Sequence, residues 1–269
     1  QGLGLGGSED ICAGTNPTMT PAQCAHTGVS AAQYGHIQEN PANQYNTFGG
    51  GNPLLVPEIA DTTTFGIVVT PMAIPGFTAA IDYYDIQIED TIGALGADDI
   101  IRTCATTGDP TLCALIHRDI AGTLWLMPSG YTLTNNQNIG KLGSEGVDLN
   151  ANYLIPAGNA GFLSFNLIGT YLMESTIDTG LFAYDCKGYF GNQCGVPNPE
   201  WRHLARVSWE TNFKTVFSLG WRMVGSVTND DGSPNPAIGD PGNVELLRID
   251  DIYKIPAHHY LDLAATYKF

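Results

Sequence analysis

Apolar and polar residues alternate along most of the chain from Thr62 onward. The side chains of a β-strand point in turn to its two faces, so strict alternation predicts strands with one apolar and one polar face. Residues typical of turns separate these segments. The pattern predicts strands at residues 62–71, 75–90, 147–155, 161–174, 200–211, 213–228 and 258–269.

A soluble β-sandwich also alternates, so the positions of aromatic and charged residues decide between the two environments. Charged residues such as Arg206 and Arg222 fall on the polar face, which a water-filled lumen allows and a sandwich core does not. Aromatic residues lie near strand ends on the apolar face, as in the interfacial girdles of a membrane barrel. These aromatic residues are Trp201, Trp209, Phe213, Trp221, Tyr267 and Phe269.

Short and long connections alternate between the predicted strands. The short connections are near residues 71–76, 156–161 and 211–213, and the long ones are at 92–116, 176–199 and 229–257. Tight turns on one side and extended loops on the other are typical of outer-membrane barrels. The predicted fold class is therefore all-β: an antiparallel up-and-down transmembrane β-barrel segment, about eight strands of a larger barrel, with long disulfide-containing extracellular loops.

Segment 75–90 changes its apolar face, because Phe77 to Tyr83 share one side at alternate positions while Ile86 and Ile88 lie on the other. A β-bulge or emergence of the strand above the bilayer would explain the change, and the sequence leaves both open. Within the loops, the sequence predicts a short helix at 97–104 and a hairpin formed by 123–127 and 131–134.

Residues 1–51 show no sustained period, and we expect an irregular loop region closed by one disulfide. Residues 52–269 are predicted to form the C-terminal part of a transmembrane β-barrel. The chain starts at Gln1 without a methionine or a signal peptide, so a secreted mature product or a fragment is expected.

The six cysteines form three local pairs in stretches rich in Gly, Pro, Asn and Asp. The expected disulfides are Cys12–Cys24, Cys104–Cys113 and Cys186–Cys194. Zinc is the competing interpretation, but there is no Cys-x-x-Cys and no histidine at ligand spacing, so no metal site is expected. Disulfides indicate an oxidising compartment such as the periplasm or the cell surface.

Charge and hydropathy exclude two classes of protein. The chain carries 11 Lys and Arg against 27 Asp and Glu, a net charge of -16, which argues against nucleic acid as a partner. An acidic surface would attract cations or simply keep the loops soluble. No stretch approaches the roughly 18 to 20 consecutive apolar residues of a membrane-spanning helix, so a helical membrane protein is not expected.

Chemical motifs of enzymes are also missing from the sequence. There is no Gly-x-Ser-x-Gly, His-Glu-x-x-His or Walker motif, so we predict no catalytic residue, no cofactor and no enzymatic activity. The acidic stretch from Asp230 to Asp240 lacks the ligand spacing of a calcium loop and is predicted to be solvated. His258 and His259 should point to opposite faces of one strand, so they cannot chelate one ion together.

Four short elements resemble, in order, those of one family. Residues 52–58 read Asn-Pro-Leu-Leu-Val-Pro-Glu and precede a predicted strand. Residues 81–86 read Ile-Asp-Tyr-Tyr-Asp-Ile, residues 146–149 read Gly-Val-Asp-Leu, and the last strand ends in aromatic Phe269. Together they resemble the C-terminal part of the barrel of TonB-dependent outer-membrane receptors, without the family's plug domain and TonB box.

The resemblance implies location in the cell outer membrane and energised uptake of a scarce ligand, such as an iron chelate or an oligosaccharide. The implied partners are outer-membrane lipid, the plug and remaining barrel or a second chain completing the wall, the TonB complex through the absent N-terminal part, and an unknown small ligand. Alternatives are a passive porin-like or structural outer-membrane barrel and a secreted β-sandwich binding module.

Two groups of side chains are candidates for function. The lumen-facing polar residues Arg202, Arg206, Glu210 and Arg222 could pair with each other, hold the plug as the resemblance implies, or bind ligand. Aromatic residues at predicted loop tips are candidates for ligand contact. These are Trp125, Tyr184, Tyr189 and Phe190.

Overall fold

The structure is a computed structural model that describes residues 2–7, 10–126, 129–235, 254–267 and 269. Most of the predicted long loop at 229–257 and Met127 of the predicted hairpin lie outside the described residues. The helices are α1 (Pro21–His26), α2 (Ala97–Thr107) and α3 (Pro110–Cys113). The strands are β1 (Gly2–Gly7), β2 (Tyr45–Gly49), β3 (Ile59–Val69), β4 (Phe77–Gly93), β5 (Ile116–His117), β6 (Tyr131–Leu133), β7 (Gln137–Pro156), β8 (Phe162–Asp178), β9 (Ala183–Asp185), β10 (Tyr189–Phe190), β11 (Trp201–Glu210), β12 (Thr215–Val224), β13 (Val227–Asn229), β14 (Lys254–Ile255) and β15 (His258–Tyr267).

The chain divides into two compact units, each built from two segments. Unit 1 comprises Gln1–Glu58 and Asp90–Gly140, and unit 2 comprises Ile59–Glu89 and Lys141–Phe269. The division into residues 1–51 and 52–269 drawn from the sequence stays a prediction.

Unit 1 contains a four-stranded sheet in the order β1-β2-β6-β5 and the three helices. Helix α1 begins after Thr20, whose side chain and that of Gln23 form a capping box, with Pro21 in the first turn. Helix α2 ends at Gly108, which adopts the left-handed conformation that glycine tolerates best. In its described residues, the segment predicted to be irregular contains the strands β1 and β2 and the helix α1. Strand β1 pairs with β2 and β2 pairs with β6, so the partners of these strands lie far away in sequence.

The central sheet is antiparallel and has eight strands, which confirms the predicted fold class. Its order is β15-β12-β11-β8-β7-β4-β3, and short β9 pairs with β8 beside this path. Neighbours in the sheet are neighbours along the chain, apart from the loop insertions. This is the meander that the short connections predicted.

Register places the alternating apolar residues on one face of the sheet, here called the apolar face. One row across five strands consists of Leu263, Leu219, Val207, Phe165 and Tyr153. The face continues onto β4 through an edge-to-face contact of Phe77 with Tyr153, whose ring centroids are 6.0 Å apart. It ends on β3, where Phe65 and Ile67 oppose Tyr83 and Ile81.

The apolar face is exposed rather than packed against a core. Leu263 is 83% exposed, Ile67 53% and Leu219 43%. Among the described residues, the fully buried apolar side chains all lie outside the seven long strands of the sheet. A continuous apolar surface of this kind does not persist in water, at roughly 25 cal/mol per Å² of exposed apolar area. The sheet therefore requires an apolar solvent or partner on this side.

Because of a β-bulge at Met173, Glu174 lies on the opposite face of the sheet from the polar face predicted for it. Gly146 pairs with Leu172 and Glu145 with Glu174, so Met173 is an extra residue in β8. The extra residue moves Glu174 from the polar face to the side of Glu145, which accepts a 3.0 Å hydrogen bond from the Tyr83 hydroxyl. The apolar face thus becomes polar at this level.

The change of face within segment 75–90 occurs at the same level of the sheet, where the apolar face becomes polar. Pairing of β3 with β4 runs from Val69–Ala79 to Ile59–Glu89 without a shift of register, so this strand pair contains no bulge. Beyond Tyr83, the apolar face of β4 carries Asp85 and Gln87. Of the two explanations, the structure therefore supports emergence of the strand beyond the apolar zone.

Two other predicted elements differ in the structure. Segment 213–228 is interrupted after Val224, because Gly225 donates its N–H to the Trp201 carbonyl and the chain then starts β13. Residues 123–126 form bends rather than a hairpin arm. The other arm, β6, pairs instead with β5 and with β2. The predicted loop helix at 97–104 is confirmed as α2.

Neighbouring short turns are hydrogen-bonded to each other at one end of the sheet, here called the short-turn end; the opposite end is the long-loop end. The Trp209 indole donates to the Ala160 carbonyl at 2.8 Å, and the Asn212 amide donates to the Asn159 carbonyl at 2.7 Å. Gly161 makes this approach possible, because a β-carbon there would lie 1.9 Å from the Glu210 carbonyl oxygen.

We predict that Gly161→Ala destabilises the folded protein by about 3 kcal/mol, since it combines strain at a positive φ of 98° with a backbone clash. The matched control is Gly158→Ala, where φ is 57° and nothing lies within 4 Å of the added carbon. It should cost only about 1 kcal/mol. Thermal unfolding in detergent measures both, and equal losses would contradict the turn-to-turn contact.

Candidate functional site

Three arginines form a patch on the polar face of the sheet, here called the basic patch: Arg202, Arg206 and Arg222. Arg222 on β12 pairs directly with Leu204, which lies between the other two on the same side of β11. Diagonal neighbours in an antiparallel pair are roughly 7 to 8 Å apart. The structure therefore brings these three predicted residues together, while Glu210 lies at the short-turn end of β11.

The basic patch is positioned by aromatic and glycine neighbours. The Arg222 guanidinium lies over the Tyr260 ring, 4.8 Å from its centroid. Arg206 extends beside Gly220, where an added β-carbon would be 3.8 Å from its Nη2 atom. Among the described residues, the ion pairs are Arg118–Asp10 and Lys141–Glu89, so the basic patch has no carboxylate partner within that part of the chain.

Chemically, the basic patch can bind carboxylates, phosphates or other anions by charge-assisted hydrogen bonds. Apolar side chains also lie on this face, among them Ile168 and Leu204. A partner that binds to this face of the sheet would offer both anionic and apolar groups.

A disulfide-closed loop module lies at the long-loop end of unit 2. The Cys186–Cys194 disulfide has an S–S distance of 2.09 Å and lies beside the small sheet β10-β13-β14. Tyr184 is only 6% exposed and packs against both cysteines, with Tyr189 alongside. Tyr184 thus serves as the core of this module, whereas Tyr189 and Phe190 remain half-exposed.

Asp230 is buried in the same module, which corrects the predicted solvated loop. Its side chain is 0% exposed, and its Oδ2 atom accepts backbone hydrogen bonds from Gln193 and Cys194, both at 2.7 Å. Gly191 leaves room for the carboxylate, since a β-carbon there would lie 2.1 Å from Oδ1. The carboxylate therefore fixes the disulfide loop to the chain after β13.

Unit 1 is held together by contacts between its two segments. Arg118 binds the Asp10 carboxylate with two hydrogen bonds of 2.6 and 3.0 Å, and it also donates to the Thr27 carbonyl. Tyr45 donates to the Asp98 carboxylate. The other two predicted disulfides, Cys12–Cys24 and Cys104–Cys113, are present in this unit.

Unit 1 is strongly acidic. Its two segments contain nine Asp and Glu and two Arg, with no Lys. Burial, then the hydrogen bond to Asp98, raises the pKa of the Tyr45 hydroxyl well above its ordinary value. Burial and the neighbouring Asp98 charge raise the pKa of the Asp99 carboxyl. The electrostatics of this unit disfavour a polyanionic ligand.

Trp125 belongs to unit 1, whereas Tyr184, Tyr189 and Phe190 belong to unit 2. The Trp125 indole donates to the Gln38 carbonyl at 3.1 Å, and the Trp125 ring borders a narrow cleft. The cleft is lined by carboxylates and amides together with Tyr45: Asp10, Glu39, Gln38, Asn40, Asn43 and Gln44.

Sequence reasoning missed the Arg118–Asp10 pair, because its partners are 108 residues apart. It also missed two tryptophan–histidine pairs, Trp201–His203 and Trp221–His259. The first had a local signal, since residues two apart in a strand share a face. Within the described residues no helix is long and apolar enough to cross a membrane, and no group of three His, Cys, Asp or Glu side chains could hold a metal ion.

Comparison with known proteins identifies the family of this chain. A family model described as TonB-dependent receptor-like β-barrel matches residues 25–269. No curated protein sequence matches the chain.

Two crystal structures of variants of the ferric enterobactin receptor from Pseudomonas aeruginosa, one in complex with enterobactin, are similar with a TM-score of 0.51 and 12% identity. Each similarity covers 84% of this chain and 26% of the receptor. The FrpB iron transporter from Neisseria meningitidis has a TM-score of 0.46 and 13% identity, covering 82% of this chain and 26% of the transporter. The chain thus spans about a quarter of the length of these solved structures.

Proposed function

We propose that this chain, which belongs to the family of TonB-dependent receptor-like β-barrels, forms the C-terminal part of the wall of an outer-membrane receptor that takes up a scarce ligand. The family is one of transport receptors, and we infer that the chain is not an enzyme. The observation that carries the proposal is the apolar face, which continues across the seven long strands, half-buried or exposed and not covered by a core, on the side opposite to the basic patch.

Further strands are needed to complete such a wall. Strands β3 and β15 are the edges of the sheet, and an open edge is not tolerated in lipid, where every backbone N–H and C=O must be paired. We infer that the rest of the receptor barrel, or a second chain, pairs with both edges. The long-loop end then faces the outside of the cell and the short-turn end faces the periplasm.

The basic patch supports a role in holding a plug domain inside the barrel. Arg202, Arg206 and Arg222 point into the proposed lumen beside apolar Leu204 and have no carboxylate partner among the described residues. Carboxylates and apolar groups of a plug would satisfy them. Uptake is then driven through that plug by the TonB complex.

For the ligand, two classes have support. The similar Pseudomonas structures are ferric enterobactin receptors, which supports an anionic iron chelate. The acidic unit 1, with Trp125 bordered by amides and carboxylates, favours a neutral oligosaccharide, which stacks on aromatic rings and bonds to amides. Half-exposed Tyr189 and Phe190 are the proposed contacts in unit 2, while Tyr184 supports them from the core.

The proposal is tested by uptake in a strain lacking the receptor gene, complemented with the full-length receptor. We expect complementation to restore growth on one limiting nutrient, iron chelate or oligosaccharide, and to do so only when the TonB protein is present. Uptake that persists without TonB would instead support a passive pore. Trp125→Ala should weaken oligosaccharide uptake about tenfold by removing one stacking contact, and it should leave chelate uptake unchanged.

A further inference from the structure

The Trp125 ring is held in place at the narrow cleft of unit 1. Its indole donates to the Gln38 carbonyl at 3.1 Å. On the backbone side, the Asn46 amide donates to the Trp125 carbonyl at 2.9 Å, and the Asn46 N–H donates to the Leu124 carbonyl at 3.0 Å. The residue is therefore fixed through both its ring and its backbone while the side chain stays half-exposed, which preorganises the ring for stacking on a ligand.

Two carboxylates at or near the cleft already have partners. The Asp98 carboxylate accepts a hydrogen bond from the hydroxyl of Tyr45, whose side chain lines the cleft and is only 1% exposed. The Asp10 carboxylate also lines the cleft and accepts two hydrogen bonds from the Arg118 guanidinium. The positive charge of Arg118 balances that of Asp10, so Asp10 has little attraction left for a ligand.

Glu39 is the carboxylate of the cleft that remains. It lines the cleft, and within the described part of the chain it takes part in no ion pair or hydrogen bond. Its Oε1 atom lies directly against Gly14, since a β-carbon on Gly14 would be 2.0 Å from it. Gly14 has a φ of 84°, so a glycine at this position both forms the turn and leaves room for the carboxylate.

The size of the cleft limits what can enter it. The cleft has about 20 Å³ of free space. A single water molecule needs roughly 10 to 15 Å³ on the same scale. One group the size of a water molecule or an ammonium group therefore fits beside Glu39, whereas a sugar ring or an acetamido group does not.

A positively charged group suits this cleft better than a neutral one. A neutral oligosaccharide would stack on Trp125 and bond to the amides, but it would leave Glu39 unpaired. An ammonium group would pair with Glu39 and would also be attracted to the faces of the Tyr45 and Trp125 rings. Unit 1 contains nine Asp and Glu against two Arg, so its electric field draws a cation towards the cleft.

We propose that the oligosaccharide bound by unit 1 carries a free amino group, as a glucosamine oligomer does. The ammonium group enters the cleft beside Glu39, and the sugar ring that bears it stacks on the exposed part of Trp125. An N-acetylated sugar lacks the charge and is too large for the cleft at the same position. The inference rests on the proposed function, because it specifies the ligand of that receptor.

Binding of two matched sugars to the full-length receptor in detergent tests the proposal. The probes are a fluorescently labelled β-1,4-linked glucosamine tetramer and the same tetramer with every amino group acetylated, and fluorescence anisotropy gives the two affinities. We expect the free tetramer to bind about tenfold more tightly than the acetylated one, since it adds an ion pair and a cation–π contact.

Glu39→Gln separates charge from shape, because it keeps the size of the side chain. It should weaken binding of the free tetramer about fivefold and leave binding of the acetylated tetramer unchanged. The matched control is Asp90→Asn, which removes one charge from an exposed residue of the same unit outside the cleft and should change neither affinity.

Equal affinities for the two tetramers, or equal effects of Glu39→Gln and Asp90→Asn, would overturn the amino-sugar inference. Binding of a tetralysine peptide as tightly as the free tetramer would overturn it as well, because the acidic surface would then attract any polycation. A receptor that takes up an iron chelate with the TonB protein but binds neither tetramer would contradict this inference alone. Uptake that persists without TonB would contradict the proposed function itself.

Discussion

Leu219→Arg is expected to prevent most of the receptor from reaching the folded, membrane-inserted state. Leu219 lies at the middle of β12 on the apolar face, in the row formed with Leu263, Val207 and Phe165. An arginine facing lipid near the centre of the bilayer costs about 2 to 4 kcal/mol in a membrane barrel. That is a large part of the stability of an ordinary protein.

The control for this prediction is the next residue. Ser218→Arg introduces the same side chain on the polar face, where a water-filled lumen hydrates it, and should cost less than about 1 kcal/mol. Heat-modifiable mobility of the protein in outer-membrane fractions measures the folded amount, and urea unfolding in lipid vesicles gives the free energy. If Ser218→Arg proved the more damaging of the two, the assignment of the faces would be reversed.

Arg118→Met is expected to destabilise unit 1 by about 3 to 5 kcal/mol, because it leaves the Asp10 carboxylate buried without its partner. The side chains of Arg118 and Asp10 are only 4% and 8% exposed. Arg118 also donates to the Thr27 carbonyl and to the Gly122 carbonyl, so the substitution removes bonds from three places in the unit. Hydrogen exchange in the full-length receptor should accelerate in peptides that contain residues 10–30 and 116–126.

The chain offers a matched control in its other described ion pair. Lys141 and Glu89 are 2.7 Å apart, but their side chains are 61% and 55% exposed. Water screens such a pair, so Lys141→Met should leave the stability nearly unchanged. The double variant Asp10→Asn with Arg118→Met should recover part of the loss, since no buried charge remains. Equal effects of Arg118→Met and Lys141→Met would show that the Asp10 pair is not buried.

The long strands of the sheet could be predicted because their signal is local. In β11 and β12, successive residues alternate between the apolar face and the polar face, and this pattern repeats within a few residues. The short turns follow from the same pattern, whereas the end of β12 at Val224 does not, because it depends on the contact of Gly225 with Trp201. The bulge at Met173 could not be predicted, because one extra residue reverses the faces without any local mark in the sequence.

The loop modules were less predictable because their contacts are distant in sequence. The pairing of β2 with β6 and the hydrogen bonds between Arg118 and Asp10 join residues that are far apart in sequence, so no periodic pattern predicts them. The disulfides were an exception, since each joins cysteines 8 to 12 residues apart.

In the loops, the burial of a side chain could not be predicted from its residue type. Tyr184 was a candidate for ligand contact and is a core residue of its module, and Asp230 was expected in solvent and is fully buried. The basic patch, in contrast, followed from alternation along β11 and β12, although its contact with Tyr260 depends on pairing with β15.

The most direct test of the lipid-facing assignment is spin-label accessibility along β12 of the full-length receptor in vesicles. Labels at 217, 219 and 221 should collide with dissolved oxygen, which concentrates in the bilayer, and be shielded from a water-soluble nickel chelate. Labels at 218, 220 and 222 should show the opposite preference, so that accessibility alternates with a period of two residues. Protection of both sets from both reagents, as in the core of a water-soluble sandwich, would contradict a membrane wall.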